Sequence, residues 1–598
     1  MLKSGHQQPA HTFTTMPPII LIVESPNKAK KANEMFAGQI KAIASFGHVC
    51  DLPATPKDGI GIDRASMQGQ YALTEDKTRT VDGKRSVAKI KKFINDNPGA
   101  EIILGTDADR EGESIAAFLM KYLPLSPSTK RACFNAITKE KIELAINTAG
   151  HINLLDVNAR ETRRLTDRII GYPGSTFLRN ALKRKDVSAG RVQTAVEALV
   201  VERERKIRNH KSQPYYSVHF DLGGWEATWQ VPASTEKRKG PKPNSEYDTD
   251  DKTPRCFNEA TAREIANQRA LSVEDCTETT TNQAPPSPLY TISLIQIANR
   301  ILGWDAEKTM EVAQKLFEGD GSGHGHITYH RTDSPNIDPA AAEEIRTWLQ
   351  AQGLPIPPEP NSWQCKNKQA QEGHEAIRPS YFEVTEAGAT PEQQALYKLI
   401  RERAIYSQLA PARFASKRIL LSDVATGSRK FTASARVLID PGWLKTAAAK
   451  SPTMQDENAE DVPPQITLPT LQRGTVINIK KADVRPHVTK APPRYTMNTL
   501  TSKLENLSIG RPATIASLLK NVQKKGTIVV QKDGKLKASE LAEQCYDALY
   551  PRFTFASIGY TAELEKALDK IATGELDGKA IARMVWDRLE ADSVRNLT

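Results

Sequence analysis

Cysteine is scarce and unclustered: the 598-residue chain has six, Cys50, Cys133, Cys256, Cys276, Cys365 and Cys545, and no two stand in C-x-x-C spacing. That disfavours a zinc ribbon or a thioredoxin-like redox pair and suits reduced thiols in a cytoplasmic protein. Long apolar runs are also missing, none approaching the roughly 18 residues that would cross a bilayer, so a membrane protein is excluded. Residues Met1–Pro18 lack the apolar core of a secretion signal and read as a disordered leader, with Met16 a second candidate start. No G-x-x-x-x-G-K-[ST] loop occurs, which disfavours an ATP-driven motor. At about 150 residues per domain, the length suggests about four domains.

Positive charge is plentiful. The formal net charge is +11 and the pI is about 9.1, so a polyanion, and nucleic acid first, is the expected partner. The excess is concentrated: residues 155–211 carry fourteen Lys plus Arg against seven acidic residues.

From Pro17 to about Gly150, short apolar runs such as Ile19–Val23 and Glu101–Leu104 alternate with helical stretches, the pattern of an α/β unit with a parallel sheet. Residues 153–211 read as helical, broken at Gly171-Tyr172-Pro173-Gly174 and again near Ser188-Ala189-Gly190. Alternation at Tyr216–Leu222 and Trp225–Val231 predicts half-buried strands, followed by a Pro- and Lys-rich surface loop at Lys237–Pro243. Comparable β signals return only at Phe414–Ile439, before a second polar loop from about Ser451 to Pro464. The block between them, Pro285 to about Leu409, reads as helical, so a helical domain is inserted in a discontinuous β domain. Pro492–Thr598 again reads as helical.

Two constellations carry chemistry. Glu24 ends the first apolar strand, with Ser25 and Pro26 at helix-capping positions and Lys28 in the first helical turn. The second strand leads into Asp107 and Asp109, with Glu111 opening a helix, and the ends of parallel strands converge on one crevice. Hard carboxylate oxygens gathered there suit Mg²⁺, while an isolated D-x-D-x-E serves equally to complement a helix dipole. Further on, His326–Ser334 reads as a short strand leading into a turn, which puts Tyr329 and Arg331 on one face. A phenol can act as a covalent nucleophile and a guanidinium can clamp a phosphate; a tyrosine on a strand is also ordinary packing. Arg160, Arg164 and Arg168, spaced i, i+4, i+8 with Arg163 beside them, form a stripe suited to phosphates or to a solvated face.

In order along the chain, Glu24–Lys30, Asp107–Glu113, Ser188–Gln193, Tyr329–Ser334, Gly373–Pro379 and Pro492–Tyr495 with Ile509–Pro512 resemble the signatures of type IA DNA topoisomerases, over Ile19 to about Leu589. The resemblance implies a multidomain α/β plus α plus β fold: a TOPRIM α/β domain in a toroidal core with helical domains and a discontinuous β domain. Its divisions would be a leader at 1–18, TOPRIM at 19–150, a helical single-stranded-DNA-binding domain at 151–211 and 485–598, a β-rich hinge at 212–284 and 410–484, and a helical domain carrying the tyrosine at 285–409. It implies an ATP-independent isomerase that cuts one strand through a 5′-phosphotyrosine, passes a strand and religates, relaxing negatively supercoiled DNA as a monomer.

The resemblance further assigns Tyr329 as nucleophile, Arg331 as its stabiliser, and Glu24, Asp107 and Asp109 as Mg²⁺ ligands. Glu111 would support the cluster, Lys28 would position the phosphate or protonate the leaving oxygen, and His374 would assist near the tyrosine. It places His48, Arg163, Arg164, Asp167, Tyr172, Ser188, Ala189, Gly190, Arg191, Val192, Gln193, Arg331 and Arg511 on single-stranded DNA. The motifs lean to the bacterial topoisomerase I branch, though without the C-terminal zinc ribbons common there, so weaker processivity is expected. Cys50 stands where relatives usually place a basic residue, and the Gly319–Gly325 loop, with His324 and His326 read as solvated, has no assignment. A TOPRIM nuclease or primase, or an inactive single-stranded-DNA-binding accessory protein, is the competing reading.

Overall fold

The computed structural model describes residues 17–53, 60–76, 82–232, 254–319, 323–365, 375–454, 467–511 and 514–595. The leader up to Met16, the Lys237–Pro243 loop, His374, Pro512, residues 320–322 of the glycine-rich loop and residues 455–464 of the second polar loop lie outside the described residues.

The N-terminal unit is built on a four-stranded parallel sheet in the order Ile40–Ala44, Ile19–Val23, Glu101–Leu104, Lys130–Arg131. Ile19–Val23 is the central strand and is buried along its whole length, which is why it reads as an uninterrupted apolar run. Both central strands end at the same edge, and the helices Pro26–Phe36 and Arg110–Tyr122 start there.

A second sheet has seven antiparallel strands in the order Val476–Asn478, Ala270–Gln283, Ala412–Asp423, Lys430–Asp440, Glu226–Trp229, Pro214–Asp221, Lys481–Val488. The strand Ala270–Gln283 corrects the reading that β signals return only at Phe414. Its second half is exposed and rich in Thr, so it lacks the apolar alternation of a half-buried strand. Ladder hydrogen bonds along Ala412–Asp423 hold it instead.

The break expected at Gly171–Gly174 is absent: one helix runs from Leu154 to Leu182 with Pro173 inside it. Here the glycines serve packing, because a Cβ on Gly174 would come within 3.0 Å of Ala189 Cβ and of the Phe555 ring. The Ser188–Gly190 loop lies directly against this turn, with Ser175 Oγ donating to the Ala189 carbonyl and accepting from its N–H. Tertiary contact thus stabilises a helix that local propensity would interrupt.

The long helix and Arg191–Asn209 pack against the C-terminal helices Ile558–Ala572 and Gly578–Arg595. At their centre Arg191 and Glu565, both fully buried, pair at 2.7 Å. Burial alone would raise the Glu565 pKa, but Arg191, with Arg163 and Arg511, holds it down to about 2. Glu565→Gln is therefore expected to cost roughly 1–3 kcal/mol at neutral pH, because Arg191 keeps Asp167 and Arg511 keeps Asp569 while both lose the buried charge between them. A carboxylate with a depressed folded-state pKa stabilises above its unfolded value of 4.5 and loses that contribution as pH falls through about 2. Denaturant melts at pH 7 and pH 3 should show the gap between wild type and variant narrowing on acidification.

Candidate active site

The acidic edge is positioned by capping. Ser25 Oγ accepts from the Lys28 N–H at 3.2 Å, Pro26 fills the first helical position, and Asp109 accepts the Gly112 N–H at 2.8 Å. Gly112 is required: a Cβ there would lie 2.1 Å from the Asp107 carbonyl oxygen. Glu24 reaches across the strand ends, its Oε1 accepting the Asp107 N–H at 2.8 Å. Arg131, 3% exposed, braces the same turn from below, donating to the carbonyls of Thr106 at 2.9 Å and Asp107 at 2.6 Å and pairing with Glu113 at 3.0 Å. Sequence reading missed this residue, since nothing about an arginine in a short strand says where its side chain ends.

Tyr329 comes to this edge from the other side. The short strand expected at His326–Ser334 is instead an extended segment with one isolated bridge, Ile327 to Pro379. Its hydrogen bonds go to irregular neighbours, Tyr329 N–H to the Asn135 carbonyl at 2.6 Å and Thr328 N–H to the Arg378 carbonyl at 2.9 Å. Tyr329 is 3% exposed, and its hydroxyl donates to Asp109 Oδ2 at 2.6 Å. Burial, then the Asp109 charge, raises the phenol pKa well above its ordinary value, so the resting group is the neutral phenol.

Three cationic or ionisable groups surround it. Lys28, 2% exposed, pairs with Asp107 and lies 5.1 Å from the Phe317 ring centroid, whose edge meets Tyr329. Burial pushes the Lys28 pKa down, against the pull of Glu24 and Glu318. Arg331 lies against Tyr329, Asp109 and Glu24; burial would lower its pKa, but these acidic neighbours raise it, so the guanidinium stays ionised. His330 is fully buried against Phe317, and neither ring nitrogen has a hydrogen-bond partner among the described residues. Burial, then Arg331 and Lys28, pushes its pKa well down and keeps it neutral.

The donor set fits a hard divalent cation. Glu24 is half-buried and that burial raises its pKa; Lys28 lowers it and the adjacent Asp109 charge raises it again. Neighbouring carboxylates in a dry crevice are the arrangement a cation relieves. Among the described residues no group of three or more His, Cys, Asp or Glu side chains is already gathered as a metal cage, because Asp107 is engaged by Lys28 and Asp109 by Tyr329. Glu111 is engaged by other partners: it pairs with His48 and accepts from Arg160 at 2.9 and 3.1 Å. Burial would raise its pKa, but those two partners hold it well below the carboxylate range.

Each guanidinium of the arginine stripe has a protein partner. Arg160 is held by Glu111 and Glu161, Arg164 pairs with Asp51 at 2.8 Å, and Arg168, 7% exposed, donates to the carbonyls of Ile60 and Pro53. One face of a helix carries all three, and that face docks on the N-terminal unit. Arg168 also lies 4.2 Å from the ring of Tyr172, which remains 36% exposed. Asp167 accepts from Arg191 at 2.9 Å, Arg163 reaches Thr514 at 3.2 Å, and Arg511 pairs with Asp569 at 2.7 Å and Glu565 at 3.2 Å. Lys525 joins Ser188 and Gln193, the latter at 2.7 Å. Gly190 caps the helix that Arg191 begins, Val192 packs beside its core and Ala189 is buried. Cys50 is buried, and that burial raises its thiol pKa to about 12, so it is an inert core residue. His326 is buried rather than solvated, and His324 packs on Tyr381.

The tyrosine segment and the acidic edge are sealed together. Asn27 donates to Glu318 at 2.8 Å, Gly325 N–H to the Ile137 carbonyl at 2.7 Å, and Asn135 to Glu375 at 2.9 Å. One apolar cluster runs through Ile137, Phe317 and Tyr329.

Comparison with known proteins agrees with that geometry. Residues 19–137 match the Toprim domain, a metal-binding domain, and residues 151–583 match the DNA topoisomerase family. The chain is 35% identical over 582 residues to a plasmid DNA topoisomerase I of Xylella fastidiosa, covering 96% of this chain and 83% of that one. It is 31% identical to DNA topoisomerase 1 of Pseudomonas aeruginosa, covering 94% of this chain and 65% of the relative. The solved structure of full-length topoisomerase I from Thermotoga maritima superposes with a TM-score of 0.70 at 28% identity, covering 96% of this chain and 90% of that one. The chain belongs to the type IA DNA topoisomerases, in the bacterial topoisomerase I branch.

Proposed function

We propose that Tyr329 is the nucleophile by which this topoisomerase cuts one DNA strand, and that Glu24, Asp107 and Asp109 hold Mg²⁺ beside it. The observation that carries the reading is the Tyr329 hydroxyl donating to Asp109 at 2.6 Å, with Arg331 and Lys28 at the same crevice. Bound there, the metal would supply charge stabilisation for the scissile phosphate. The phenol oxygen attacks phosphorus and passes its proton to Asp109; Arg331 neutralises the phosphate as the tyrosyl ester forms. The bond to the 3′-oxygen breaks, and Lys28, its pKa lowered by burial, protonates that oxygen. Reversal reseals the strand, because the phosphotyrosine ester conserves the energy of the bond that was cut, and no ATP is consumed. Glu111, anchored to His48 and Arg160, supports the start of the helix that carries Asp109. His374, which precedes Glu375 in the sequence, would assist the tyrosine chemistry.

We assign the single strand to the band around Arg163, Arg164, Asp167, Tyr172, Ser188–Gln193 and Arg511, in which Tyr172 stacks on a base, the partly exposed Arg164 reaches phosphate and the buried Ala189 and Arg191 hold the band in shape, with His48 and Arg331 at the crevice. The enzyme acts as a cytoplasmic monomer. Negatively supercoiled plasmid incubated with Mg²⁺ and no ATP, then quenched with detergent, should relax stepwise and yield protein joined to a 5′-phosphate. EDTA should abolish both, and excess Mg²⁺ should restore them. Cleavage that persists in EDTA would remove the metal from the proposal.

A further inference from the structure

We propose that the β-hairpin Ile528–Val530/Leu536–Ala538, together with the helix Ile515–Lys524, is a contact surface for duplex DNA adjoining the single-strand band. This rests on the DNA path assigned above and extends it beyond the single strand.

The hairpin interrupts the all-helical C-terminal block that the sequence suggests. It is an antiparallel ribbon closed at Asp533-Gly534, with Gly534 at φ +75°. Ile528, Leu536 and Ala538 root it in the apolar cluster beneath, and Thr527 ties its base to buried Glu197 at 2.8 Å. The opposite face, which carries Val529 and its cross-strand partner Lys537, is presented to solvent, and Val530 at the ribbon's end is about half exposed as well.

Residues 520–537 carry six lysines, Lys520, Lys524, Lys525, Lys532, Lys535 and Lys537, against the single acid Asp533. Lys535 is neutralised by Asp533 at 2.8 Å and Lys520 by Glu307. Lys524, Lys532 and Lys537 are exposed and make no ion pair with a described residue. Lys525 reaches Ser188 and Gln193, so the ribbon begins where the single-strand band ends.

The side chains indicate which form of DNA fits. Single strands are gripped by aromatic side chains on which bases stack, and residues 514–538 contain no Phe, Tyr, Trp or His. A rigid two-stranded ribbon flanked by lysines matches a duplex groove and its two phosphate rows. A locally melted substrate necessarily has such a duplex arm next to its single strand.

The test is a Lys524→Gln/Lys532→Gln/Lys537→Gln variant, which leaves every proposed catalytic and single-strand residue in place. Binding is measured by fluorescence anisotropy across a salt series on two probes, a single-stranded oligonucleotide and the same strand extended by a hairpin-closed duplex. The variant is expected to bind the extended probe about tenfold more weakly, with a salt slope shallower by roughly 2–3, since each lost phosphate contact contributes about 0.9. Its affinity for the single strand should stay within about twofold, and single-strand cleavage should be unchanged. Equal weakening on both probes would make the hairpin part of the single-strand path and overturn the duplex assignment. No weakening on either would overturn the surface altogether. Loss of single-strand cleavage by the wild-type protein would instead count against the proposed active site, not the hairpin.

Discussion

Tyr329→Phe is expected to lower strand cleavage and plasmid relaxation by at least about four orders of magnitude, the loss seen when a covalent nucleophile is deleted. The ring is 3% exposed and packs edge-on to Phe317, so the substitution keeps the shape of the core. It removes one hydroxyl and leaves Asp109 Oδ2 without its donor. Since that carboxylate sits at a helix N-terminus, where the Gly112 N–H caps its other oxygen, the loss of stability should be small, on the order of 1 kcal/mol. A thermal melt within a few degrees of wild type, together with abolished covalent adducts, is the expected pair of results. Nicking that survives the substitution would move the chemistry to the carboxylates alone, as in a TOPRIM nuclease. Binding without cleavage by the wild-type protein would leave an accessory DNA-binding protein.

The second large effect is expected at Lys28. Its side chain is 2% exposed, paired with Asp107 and facing Phe317. Lys28→Met preserves its length and removes the charge, so cleavage should fall roughly 10²–10⁴-fold, the range of a lost general acid. Two roles are compatible with the position, proton donor to the leaving 3′-oxygen or positioning of Asp107, and leaving-group chemistry separates them. A substrate with sulfur bridging at the 3′ position expels a thiolate that needs little protonation. If Lys28 is the acid, this substrate should restore most of the cleavage lost by Lys28→Met, while the ordinary phosphodiester remains slow. Equal slowness on both substrates would assign Lys28 to holding Asp107.

What the sequence determines by itself is the local chemistry and its order. The central strand is legible because burial on both faces demands an unbroken apolar run, as in Ile19–Val23. The capping residues Ser25, Pro26 and Asp109 are legible because orphaned N–H groups at a helix start need such partners. Six motifs in one order bring Tyr329 and the carboxylates together by family resemblance, whereas spacing alone left each of them an ordinary packing or capping residue.

Only the tertiary structure decided what depends on contacts between distant segments. The spacing of Arg160, Arg164 and Arg168 does not say which partner each one meets, and docking on the N-terminal unit pairs Arg160 with Glu111 and buries Arg168, while Arg164, paired with Asp51, stays 36% exposed. Pro173 and its flanking glycines signal a break in any local reading, yet the Ser188–Gly190 loop packs against that turn and the helix continues. The strand Ala270–Gln283 is polar because ladder hydrogen bonds, rather than an apolar face, hold its exposed half. Arg131 beneath Asp107 and the sealed contact between Asn27 and Glu318 join residues far apart in the chain. Periodicity records which face of an element is buried, but not the partner that buries it, and here the partners set the reactive geometry.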